Sequence, residues 1–194
     1  MANRFKKRPL SFSQLSSWEW DKEQWYNSYI LGIREPATPG MIAGNKFGDM
    51  IGTKEFPIPE LQDIGTKEYK LEGNIDDIYM VGYADGYDPY KLILHENKTS
   101  DNLNRWNQKK VNEHGQLTMY LLLLYLSEKV KPEEVTVFLN FIPLERGGDM
   151  IYRLPEPAVY HQFPTKRTGV QLLQYAQYIA DTVKAMDEYV KTRS

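Results

Sequence analysis

The stretch VGYADGYDPYKLILHENKTS, residues 81–100, decides both the fold and the chemistry of this chain. Apolar–polar alternation predicts two strands, IYMVGYADGYD and KLILHENK, with a turn at Asp88-Pro89 between them. Alternate side chains share a strand face. Glu96 and Lys98 therefore point the same way, about 7 Å apart at the base, and His95 and Asn97 point oppositely. Asp85 lies eleven residues before Glu96, and pairing of the two strands as a hairpin can bring it alongside. Two carboxylates so placed repel unless a cation sits between them. Hard oxygen ligands favour Mg2+ or Mn2+, with the Asn97 carbonyl as a plausible third ligand. Lys98, on the same face, could orient a metal-bound water or stabilise charge growing on a phosphate. Two carboxylates and a lysine are the minimum set for metal-assisted phosphodiester hydrolysis. Taken alone, however, a Glu-x-Lys pair is far more often a surface ion pair.

Working outward, KEYKLEG predicts a preceding strand, with a turn at Gly73-Asn74. Upstream, SFSQLSSWEWDKEQWYNSYILG reads as one helix capped by Ser11 or Ser13 and stopped at Gly32. Its aromatics Trp18, Trp20 and Trp25 read as core. GMIAGNKFGDMIGTKEF reads as a short helix loosened by glycines. Downstream, residues 107–127 predict a helix whose YLLLLYL segment is buried, and EVTVFLNFIPL predicts a strand with Val135, Val137, Leu139 and Phe141 on one face. RGGD then turns the chain toward MIYRLP. Residues 168–191 predict a helix with an apolar stripe of Leu172, Leu173, Ala176, Ile179, Val183, Met186 and Val190. The expectation is an α/β protein, a single domain over residues 1–194 around one mixed sheet.

Composition narrows the chemistry. With 194 residues, 41% hydrophobic and 26% charged, the chain is of ordinary globular type. It has no cysteine, which excludes disulfides, thiolate zinc sites, cysteine nucleophiles and cysteine-held iron–sulfur clusters. Its three histidines, His95, His114 and His161, lack metal-binding spacing and read as structural, His114 being the one nearest substrate. No apolar run reaches the ~20 residues of a membrane span, and no apolar signal region follows the basic start MANRFKKRPL, so a cytoplasmic location is expected. A net charge of −2 confines nucleic-acid binding to a local patch.

The motifs Gly82-x-x-Asp85, Glu96-x-Lys98-Thr99 and Gln116-Leu-Thr-Met-Tyr120, with the opening LSFSQLSSWEWDKEQWYNSYILG, resemble the PD-(D/E)xK nuclease superfamily in its RecB-like exonuclease branch. The likeness runs from residue 10 to about 125. It implies a restriction-endonuclease-like core, a central mixed β-sheet flanked by helices, and a Mg2+- or Mn2+-dependent deoxyribonuclease. Asp85 and Glu96 would hold the metal with help from Asn97, Lys98 would act on the water, and Gln116 and Tyr120, four apart on one helix face, would shape the site. Asn112 and Gln108 extend that polar stripe. Two features depart from the pattern. Gly48 stands where relatives often carry a metal-site histidine, with Asp49 or Glu55 nearby as substitutes, and the cluster cysteines are absent, Asp21 falling near one of their positions.

Arg105, Trp106, Lys109 and Lys110, just after the Glu-x-Lys strand, combine positive charge with an aromatic and suit a single DNA strand. The run Lys6-Lys7-Arg8 reads as a solvated tail that could touch phosphate. No GxxxxGK[ST] phosphate loop is present, so a helicase, an annealing protein or a CRISPR adaptation protein would be a separate partner. Oligomeric state is not legible. The competing reading is a catalytically weak DNA-binding or scaffold protein that keeps the nuclease fold.

Overall fold

A computed structural model describes residues 9–33, 35–148 and 151–193, so Lys6-Lys7-Arg8 and Asp149 of the RGGD turn lie outside the described residues. The first predicted helix is broken. α1 (Phe12–Trp20) ends where Asp21 adopts an extended backbone, and α2 (Lys22–Tyr26) restarts with the Asp21 carboxylate accepting from the Glu23 and Gln24 N–H groups. A π-helical turn, Asn27–Leu31, follows and stops at left-handed Gly32, the expected position. Ser11 is the N-cap of α1, without a side-chain capping bond. α3 (Pro39–Met50), capped by Thr38, is shorter than the glycine-rich stretch suggested.

β1 (Thr66–Ile75), β2 (Ile78–Asp88) and β3 (Ile93–Ser100) run through the decisive region. The β1–β2 reversal falls at Asp76-Asp77, not at Gly73-Asn74, which are strand residues. The second turn is as expected, with Asp88 accepting from the Tyr90 and Lys91 N–H groups. The predicted 107–127 helix is split into α4 (Gln108–Asn112) and α5 (Gly115–Glu128). β4 (Thr136–Pro143) then lies parallel to β3. A small ribbon, β5 (Glu145–Arg146) with β6 (Tyr152–Arg153), is separate from the main sheet. Sequence reasoning missed β7 (His161–Thr165), because Pro164 argues against a strand; it is tolerated because β7 is an edge strand. α6 (Gly169–Lys191) opens on a Thr168–Gln171 capping box.

The sheet order is β1-β2-β3-β4-β7, mixed because only β3 and β4 are parallel. α5 is buried on every side from Leu117 to Leu124, covered by the sheet and by α6. Its close approach to β2 requires Gly82: a Cβ there would lie 2.8 Å from the Tyr120 ring. On the other face of β4, Ile142 joins Ile51, Phe56, Ile58, Leu61 and Ile64 in a second apolar cluster below α3. Two core assignments are corrected. Leu173 on α6 is 73% exposed, and Trp20, at the end of α1, is 86% exposed, whereas Trp18 and Trp25 are buried. Among the described residues no helix is long and apolar enough to cross a membrane.

Candidate active site

β2 and β3 pair only from Asp88↔Ile93 to Gly86↔His95. The next pair in that register would be Asp85 with Glu96, but the strands part there as β3 continues along β4. The Asp85 carboxylate fills the gap: its Oδ2 accepts the Asn97 N–H at 2.5 Å, a bond that replaces the lost ladder. The cleft opened by this divergence, about 340 Å3, is lined by Asp85, Glu96, Asn97 and Lys98 from the sheet and by Gly48 and Asp49 from α3.

Glu96 is only 3% exposed. Its Oε1 pairs with Lys98 Nζ at 2.5 Å, and its Oε2 is buried with no hydrogen-bond partner. Lys98 Nζ also donates to Gln116 Oε1 at 2.9 Å. Gln116 Nε2 donates to the Tyr120 hydroxyl at 2.6 Å, and that hydroxyl donates to the Tyr83 carbonyl at 2.7 Å. A continuous chain thus runs from Glu96 through Lys98, Gln116 and Tyr120 to the backbone of β2. The two motif residues of α5 hold the lysine, and Gly82 leaves room for the ring that anchors them.

The electrostatics follow from burial. Desolvation first, and the charge of Glu96 second, push the Asp85 carboxyl up to about 8. Burial alone would lower the Lys98 pKa, but the charge and hydrogen bond of Glu96, with Asp85 behind them, outweigh it and raise the value, so the ammonium stays charged. Burial, then Glu96, raises the Tyr120 hydroxyl, which stays protonated. His114, packed between the Phe12 and Trp106 rings, is pushed down to about 4 by burial and by the charges of Lys98 and Arg167.

The residues suit a hard divalent cation. Glu96 Oε2 lacks a partner, and Asp85 and Glu96 are the oxygen donors such an ion prefers. No three His, Cys, Asp or Glu side chains group as a metal site among the described residues. A cation on this pair would therefore take its other ligands from carbonyl oxygen and water, as Mg2+ commonly does. Asp49 lines the cleft and Glu55 does not. At Gly48, an added Cβ would meet nothing within 4 Å. Sequence reasoning missed Glu68, which also lines the cleft from a left-handed backbone (φ 49°), a conformation that strand alternation does not foretell.

Other expected residues lie elsewhere. Gln108 and Asn112 bond each other and reach β7 through the Pro164 carbonyl and Thr165, so the polar stripe of α5 does not continue into α4. Arg105, Trp106, Lys109 and Lys110 do not line the cleft. Trp106 is half-buried 4.9 Å from the His114 ring, and Lys110 donates to the Arg105 carbonyl. The break between α4 and α5 is held by Arg167, 2% exposed, which donates to the Val111 and His114 carbonyls and to Thr118.

No family model and no curated protein matches the sequence. Solved structures do match. A phage-related exonuclease from Haemophilus somnus 129PT superposes with a TM-score of 0.59 at 10% identity, over 98% of this chain and 93% of the other. The alkaline exonuclease LHK-Exo from Laribacter hongkongensis gives 0.53 at 14% identity, over 99% and 95%, and was also solved in complex with dAMP. A putative exonuclease from Eubacterium rectale gives 0.57 at 11% identity, over 93% and 80%. The chain has the fold of these exonucleases. It is an α/β architecture with a five-stranded mixed sheet between helices.

Proposed function

We propose that this chain is a divalent-metal-dependent DNA exonuclease of the RecB-like type, working as one domain. The observation that carries the reading is the buried, unpartnered Glu96 Oε2 beside Asp85, with Lys98 fixed against the same carboxylate. A bound Mg2+ or Mn2+ would supply an acidified water and neutralise charge on the scissile phosphate. Asp85 and Glu96 would hold that ion, with the Asn97 carbonyl adjacent. Lys98, charged and held by Gln116, would place its ammonium against the attacking water or a phosphate oxygen. Gln116 and Tyr120 would fix the lysine, and Arg105, Lys109 and Lys110 would contact DNA phosphates away from the cleft. The exonuclease names of the structural neighbours agree with this reading. A separate helicase or annealing protein is the expected partner class.

Incubating the protein with end-labelled linear and closed circular DNA under Mg2+ or Mn2+ tests the proposal. Linear DNA should be degraded and circles spared, and Glu96→Ala should abolish cleavage while DNA binding persists or tightens, since a negative charge near phosphate is removed. Cleavage by Glu96→Ala near the wild-type rate would overturn the assignment. The vacant position at Gly48 favours a second reading, a DNA-binding protein with weak catalysis, which the same assay distinguishes by binding without cleavage.

A further inference from the structure

The cleft that holds the carboxylates is a poor path for a polyanion, since Asp49, Glu68, Asp85 and Glu96 line it with Lys98 as the cation. A second groove, about 530 Å3, begins on the other side of the Lys98–Gln116 pair and follows α1. Ser13, Ser16, Ser17, Gln24 and Ser28 supply it with neutral hydrogen-bonding groups, and Trp20 stands at its far end. No carboxylate lines it, and Lys98 is the charge it shares with the site.

The carboxylates of the neighbouring helices are engaged elsewhere. α1 and α2 carry Glu19, Asp21 and Glu23, yet each has its own partner. Glu19 accepts from the Tyr178 hydroxyl at 2.6 Å, Glu23 is clasped by Arg193 and Tyr189, and Asp21 caps α2. Serines 13, 16 and 17 and Trp20 recur at helical spacing, so hydroxyls and indole share one face. From Ser13 to Trp20 that face extends about 10 Å at ~1.5 Å per residue.

On this basis we infer that the α1 groove binds an unpaired stretch of the DNA strand being cut, with the serine hydroxyls on its phosphates and a base stacked on Trp20. The inference rests on the nuclease reading for the direction of the strand into the site. A single strand is the fitting ligand, because a flat indole that is 86% exposed offers its face to a base not already stacked in a duplex.

The test is binding of a short, cleavage-resistant single-stranded oligonucleotide in EDTA, followed by fluorescence anisotropy. Trp20→Ala should raise Kd by about 5- to 150-fold, the range of one base–aromatic stack, and Trp20→Phe should recover most of the affinity. Ser13→Asp supplies an independent check. An acid in the first turn of α1 favours the helix, so this variant should melt no lower than wild type and still bind the strand more weakly. Wild-type affinity in both Trp20→Ala and Ser13→Asp, or no binding of the strand by the wild-type protein, would overturn the inference. Trp20-dependent binding by a protein that cleaves nothing under Mg2+ or Mn2+ would instead uphold the groove and refute the nuclease reading.

Discussion

Replacing Asp85 with asparagine should stabilise the metal-free protein while disabling the site. Asparagine keeps an oxygen that can accept the Asn97 N–H but cannot ionise, in the native or the unfolded state. The native Asp85 carboxyl is pushed up to about 8, whereas an unfolded aspartate titrates near 3.8. Between those values the native state keeps the proton and the unfolded state releases it. Stability of the wild type must therefore fall as pH rises through that window, by at most ~1.4 kcal/mol per pH unit. From pH 5 to pH 7 the ceiling is just under ~3 kcal/mol; water entering the open cleft should reduce it to about 1–2 kcal/mol. Asp85→Asn lacks this loss, so the gap between the two proteins should widen over the same range. At ~2–4 °C per kcal/mol for a chain of this size, that is about 2–8 °C in Tm. The assay is thermal melting in EDTA at pH 5, 6, 7 and 8, repeated with Mn2+. Saturating metal at about 100 times its Kd should raise the wild type by ~2.7 kcal/mol and the variant much less. A Tm gap independent of pH would refute the reasoning, because Asp85 would then be an ordinary carboxylate that does not converge with Glu96.

Lys98→Arg should leave the fold intact and suppress single-turnover cleavage: Nζ fits between Glu96 and Gln116 as a compact ammonium, and a planar guanidinium needs a wider seat. Near-normal cleavage by this variant would reject the water-positioning role and leave a simple ion pair. Gly48→His should be tolerated by α3, since nothing lies within 4 Å of its added Cβ, and should tighten Mn2+ binding measured by calorimetry. Unchanged affinity would mean that the open space does not point at the carboxylate pair.

The α/β class, the shared face of Glu96 and Lys98 and the helix bearing Gln116 and Tyr120 were legible in the sequence because each rests on local periodicity, whereas Asp85 joins Glu96 only through the pairing of β2 with β3. A period of two places Glu96 and Lys98 on one face, and a spacing of four places Gln116 and Tyr120 on another. What the tertiary structure alone decided are features made by chain crossing. β2 pairs with β3 only as far as Gly86↔His95, and beyond that point the Asp85 side chain takes the Asn97 N–H, while β4 pairs along the opposite edge of β3 over its whole length. The break between α4 and α5 depends on Arg167, whose guanidinium takes up the Val111 and His114 carbonyls from beyond β7. Trp20 reads as core by composition and is exposed, since helical spacing puts it on the serine face of α1 and not with the buried Leu15 and Trp18. Periodicity records which face of an element is apolar, but not which neighbour arrives to cover it. Strand ends, helix breaks and the cleft between them are settled only when distant segments supply partners for the backbone groups left over.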